Sequence, residues 1–101
     1  MVTPGQARDV LNALQIKKPE GFSTHDFIEE YCKQYEDPYI DWLVSYRGTG
    51  HAFWQVHKEI GTFLSNQEGK IAPYYHRIGR WTSENVHGED DKPMWFAWGA
   101  E

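Results

Sequence analysis

Cysteine is nearly absent. Cys32 is the single one, so the chain can close no internal disulfide and assemble no thiolate metal cluster of its own. Long apolar runs are missing as well. No stretch approaches the roughly 18 residues needed to cross a bilayer, and the opening MVTPGQARDV lacks the basic and apolar regions of a secretory signal. These absences lead us to expect an intracellular, cytoplasmic protein without membrane contact. Catalytic signatures are missing too: there is no Gly-x-Ser-x-Gly, no Cys–His pair and no dinucleotide fingerprint. Gly48-Thr49-Gly50 lacks the Lys-Ser/Thr continuation of a phosphate loop and reads as a connector. His25, His51, His57, His76 and His87 contain no i, i+4 pair, and Glu89-Asp90-Asp91 does not have the spacing of a calcium loop. No enzyme activity, no cofactor and no metal are expected.

What the chain does have is rings. Five Trp, six Tyr and five Phe in 101 residues supply large buried area from few positions. At this length, with 40% hydrophobic and 25% charged residues, the expectation is one ordered domain, residues 1–101, around one core. Cys32 falls in a helical apolar pattern with Phe27, Ile28, Tyr31 and Tyr35 and is assigned to that core.

The net charge of −5 is unevenly spread. Residues 1–41 carry four Lys or Arg against eight Asp or Glu, residues 42–80 carry five against two, and residues 81–101 carry one against five. The basic third lies between two acidic ones, and local potential rather than net charge governs contact with a phosphate.

Local patterns divide the chain into elements. Thr3-Pro4 starts a first helix with a cap and a proline at the first position, and Ala7, Val10, Leu11 and Leu14 give it one buried face up to about Gln15. Phe22-Ser23-Thr24 places a hydrophobic residue before a hydroxyl cap, opening a second helix from about Thr24 to Tyr35. Asp37-Pro38 repeats the cap-then-proline device. A third short helix, Pro38 to Tyr46, is predicted there, with Tyr39, Ile40, Leu43 and Val44 as its apolar stripe and Trp42 and Tyr46 beside it.

The best-patterned helix runs from His51 to Gln67. Phe53, Val56, Ile60, Phe63 and Leu64 share one face, while Gln55, Lys58, Glu59, Thr62 and Asn66 share the other. Gly61 inside it implies a close helix–helix approach. Aromatic and β-branched residues after Pro73 predict a strand through Trp81, and Pro93 to Trp98 predicts a returning strand across a polar loop at Thr82 to Lys92.

The stretch HAFWQVHKEIGTFLSN, followed by HRIGRWTSENVHG and PMWFAW, resembles the second half of a winged helix-turn-helix domain, and Phe22 to Tyr35 resembles its preceding helix. The resemblance implies an α+β fold of three or four short helices followed by a C-terminal β-hairpin. It implies duplex DNA as the partner, in a small transcriptional or phage/plasmid-type regulator. In such domains the last helix enters the major groove while the hairpin touches the backbone or minor groove, which implicates Gln55, Lys58, Thr62, Asn66, Arg77 and Arg80. Lys70 would join the same positive face. Two features depart from the pattern: the extra helix at Pro38, and the acidic run Glu89-Asp90-Asp91 where the wing tip would meet phosphate. Glu59, amid the polar stripe, opposes phosphate but can accept from a cytosine amino group. The alternative is an acidic protein-interaction or inhibitor domain on the same scaffold, meeting a protein partner through exposed aromatics such as Trp95 or Trp98.

Overall fold

The computed structural model describes residues 1–80, 83–84, 90–91 and 94–99, with side chains for 1–79 and 94–99. The order is α1 (Pro4–Lys17), β1 (Phe22–Ser23), α2 (Thr24–Gln34), α3 (Glu36–Val44), α4 (Ala52–Asn66), β2 (Tyr75–Arg80), β3 (Ser83–Glu84), β4 (Asp90–Asp91) and β5 (Met94–Trp98). This is an α+β arrangement of four helices with a small antiparallel sheet, compatible with a winged-helix-like shape. No described helix is long and apolar enough to cross a membrane.

Two helices are capped as their sequences dictate. The Thr3 hydroxyl accepts from the Gln6 amide at 3.1 Å, while the Thr3 amide donates to the Gln6 side chain at 3.1 Å. Ser23 and Asp26 make the same reciprocal box at the start of α2, at 3.1 and 3.0 Å. Each box satisfies two backbone donors that a helix start otherwise leaves unpaired. Ala7, Val10, Leu11 and Leu14 form the buried face of α1 as expected. The helix continues to Lys17, past the predicted end near Gln15.

The third helix differs from its prediction. It starts at Glu36 rather than at Pro38, ends at Val44, and has no side-chain cap, because Tyr35 serves as both the end of α2 and the entry to α3. Pro38 sits in the first turn, where a missing N–H has no intrahelical partner to lose. Its buried residues are Tyr39 and Trp42, while Ile40 and Val44 of the predicted stripe are exposed. The rings win this interface because they combine large area with polar ends that find partners on α4: Tyr39 Oη lies 2.8 Å from His57 Nε2, and Trp42 Nε1 donates to Glu59 at 3.1 Å.

Val56, Ile60 and Leu64 form the core ridge of α4 and are fully buried. Phe53, also expected there, is 45% exposed. It points the same way but lies a turn before His57 and Glu59, the level at which Tyr39 and Trp42 bring α3 across the helix. Gly61 does not mark a tight crossing. A Cβ at this position would lie 3.8 Å from Thr24 Cγ2, an ordinary contact. Gly61→Ala is therefore expected to stabilise the protein by about 0.5–1 kcal/mol, read as a higher urea midpoint at unchanged slope.

The three-stranded sheet has the order β1-β5-β2, antiparallel throughout. The short strand β1 lies outside the sequence prediction; it pairs Phe22 with Phe96 and Ser23 with Trp95. On the other side Tyr75 pairs with Trp98 and Arg77 with Phe96, and a bulge before Gly79 leaves Ile78 out of register. β3 and β4 pair Ser83 with Asp91 and Glu84 with Asp90, within the predicted polar loop. The rest of that loop, including His87 and Glu89, lies outside the described residues.

The core joins sheet to helices through rings. Phe22 stacks on Phe96 at 5.1 Å, and Tyr75 meets both edge-on, at 5.5 Å from Phe22 and 5.1 Å from Phe96. The Tyr75 hydroxyl donates to the Leu64 carbonyl at 2.8 Å, satisfying one of the carbonyls that the end of α4 would leave open. Trp98 lies against Phe22 and donates Nε1 to the Lys18 carbonyl at 2.7 Å. Trp95 and Trp98 are both half-buried, so they do not provide the exposed aromatic surface expected of them. The outer edge of β2 is occupied by the preceding turn: the Glu68 carboxylate accepts from the Arg77 amide, and the Gly69 amide donates to the Tyr75 carbonyl at 3.2 Å.

Candidate nucleic-acid interface

Trp54, Lys58, Thr62 and Asn66 are all exposed and recur every four residues. This spacing sets them along one side of α4 over about 18 Å. None of the four is acidic. The first turn of α4 contains no acidic residue and its N-cap, His51, makes no side-chain cap bond, so the helix's own first turn leaves the positive end of its dipole uncompensated.

Glu59 is the only carboxylate of α4, and it does not stand on that open ridge. It lies on the flank shared with α3, where it accepts from Trp42 Nε1 at 3.1 Å, from Gln55 Nε2 at 3.0 Å and from the Tyr46 hydroxyl. The Tyr46 hydroxyl above all, then Gln55 and Trp42, holds this carboxyl below its ordinary value. It stays ionised and is turned toward its own donors. Its negative charge therefore remains beside Lys58, at the border of the polar stripe. The same cluster engages Gln55: it is half-buried and its amide nitrogen donates to Glu59.

The remaining predicted contacts are scattered over other elements. Lys70 is exposed in the turn after α4, where its amide donates to the Gln67 carbonyl at 2.9 Å. Arg77 is exposed on β2 with its guanidinium 3.4 Å from Glu68, which offsets part of its charge. Arg80 closes β2 opposite Met94, and its side chain lies outside the description. The structure therefore aligns Lys58, Thr62 and Asn66 on one ridge, bonds Gln55 to Glu59 and pairs Arg77.

The residue that sequence reasoning missed is Trp54. It is 57% exposed, with the Lys58 ammonium 4.9 Å from its ring centre and the His51 ring edge-on at 5.9 Å. A signal for it was present, since two adjacent residues of a helix lie about 100° apart and Phe53 and Trp54 cannot share the centre of one face. Elsewhere, burial pushes the half-buried Cys32 thiol up, which disfavours the thiolate that nucleophilic chemistry needs. Among the described residues no group of three His, Cys, Asp or Glu is placed to hold a metal ion.

No family model, curated protein or solved structure matches the chain.

Proposed function

We propose that the protein is a winged-helix-like DNA-binding domain, in a small regulator of transcription or of a phage or plasmid function, that lays the outer ridge of α4 into the major groove of duplex DNA. The observation that carries this reading is the capture of Glu59 by Trp42, Tyr46 and Gln55. It draws the Glu59 carboxylate, which keeps its charge, toward α3 while Lys58, Thr62 and Asn66 stay exposed, and a helix of this kind is what the major groove admits. Lys70, Arg77 and Arg80 supply phosphate contacts that set its position. The acidic residues of β3 and β4 repel phosphate, so the contact is confined to α4 and β2 and excludes the loop between the hairpin strands.

Fluorescence anisotropy with a short labelled duplex tests this. Wild-type affinity should fall steeply between about 50 and 200 mM salt. The triple variant Lys58→Ala, Arg77→Ala, Arg80→Ala should bind about 30-fold or more weakly and flatten the salt slope by about 2 to 3. Full affinity in the triple variant would sink the reading. The alternative, an acidic protein-interaction or inhibitor domain, draws support from Ile40, Val44 and Phe53, which expose apolar surface on α3 and α4. Failure to hold duplex DNA even at low salt would favour it.

A further inference from the structure

We infer that Trp54 is a specificity-determining residue that reads thymine, its indole meeting the C5-methyl group in the major groove while Lys58 contacts a neighbouring phosphate. This rests on the DNA reading above and goes beyond it by naming which base the ridge prefers.

Trp54 occupies the first turn of α4, the part of a recognition helix that approaches base edges. At 57% exposed it is the least buried ring of the helix, and two neighbours lie against it. Lys58 sits over its face at 4.9 Å and His51 meets it at 5.9 Å with an interplanar angle of 70°. With one face covered by an ammonium group, the indole is a poor platform for stacking between two bases, which needs both faces clear. Its free edge and remaining face offer apolar surface instead. In the major groove only thymine presents a methyl group, and apolar side chains are its natural contact. The cation over the ring adds a requirement of its own. A lysine committed to an indole at the groove wall keeps its charge beside the ring and can meet a phosphate flanking the base that the ring touches. Thr62 and Asn66, one and two turns beyond Lys58, continue the polar contacts along the groove.

The test uses three labelled duplexes of equal length: alternating A·T, the same sequence with deoxyuridine in place of thymidine, and alternating G·C. Anisotropy is measured for the wild type and for Trp54→Ala. The exposed ring of Trp54 makes its removal tolerable to the fold, and an unchanged thermal melt checks this. The wild type should bind the thymine duplex about three- to tenfold more tightly than the uracil duplex, the scale of one buried methyl group. Trp54→Ala should bind the two alike and keep the salt slope of the wild type. Equal wild-type affinity for thymine and uracil duplexes overturns the inference while leaving DNA binding intact, as does a Trp54→Ala loss that is the same on both. Tighter binding to single-stranded oligo(dT) than to the thymine duplex overturns it in favour of stacking. Absence of binding to every duplex at low salt removes the DNA reading itself.

Discussion

Gly21→Ala is expected to cost about 3 kcal/mol or more, the combined effect of a disfavoured backbone conformation and a direct collision. Gly21 has φ +137°, and an added Cβ would stand 2.5 Å from the Phe96 carbonyl oxygen. That oxygen belongs to the central strand, so it cannot swing aside as a flexible side chain would. Relief requires either β1 to leave β5 or the connection after α1 to shift, and the latter disturbs the Gly21 amide bond to the Lys18 carbonyl at 3.1 Å. Domains of this size have about 5–15 kcal/mol in total, and each kcal/mol lowers the melting temperature by about 4–8 °C. A thermal melt should therefore drop by about 12–24 °C or more. A drop of only a degree or two would mean that the approach of β1 to β5 is looser than described.

Phe96→Ala should be at least as damaging, at about 3–5 kcal/mol. Phe96 is fully buried in the middle of β5, stacked on Phe22 and met edge-on by Tyr75. Removing it opens a cavity where both flanking strands converge, and neither neighbouring ring can collapse into the space freely. Phe22 is held by the β1 pairing, and Tyr75 by its hydroxyl bond to Leu64. Urea unfolding of Phe96→Leu beside Phe96→Ala separates cavity from chemistry, with the leucine variant expected to recover part of the loss. Equal costs for the two would show that ring geometry, not filled volume, is what the site demands.

The sequence made α1, α2, α4, β2 and β5 legible because their signals are local. Caps such as Thr3-Pro4 and Phe22-Ser23-Thr24, the repeat Val56-Ile60-Leu64, and the aromatic run of residues 94–98 all act within a few residues of themselves. The features that escaped depend on partners far along the chain. β1 is two residues long and exists by pairing with β5; Phe22 and Ser23 alone read as a staple and a cap. Tyr39 is buried as its place in the apolar stripe predicts, but the burial of Trp42 rather than Ile40 and Val44 was set by its bond to Glu59 on another helix, which periodicity within α3 cannot register. The candidate interface divides in the same way. Lys58, Thr62 and Asn66 followed from helical spacing, whereas the diversion of Gln55 and Glu59 toward α3, and of Arg77 toward Glu68, needed the fold.

The turn that covers the outer edge of β2 limits how another chain can meet this protein. With the Arg77 amide held by the Glu68 carboxylate and the Tyr75 carbonyl by the Gly69 amide, the first half of this border offers no open ladder to an extended peptide or to the same strand of another copy. At the opposite border β1 is only two residues long, too short to template a new strand. Recognition along these stretches must therefore go through side chains.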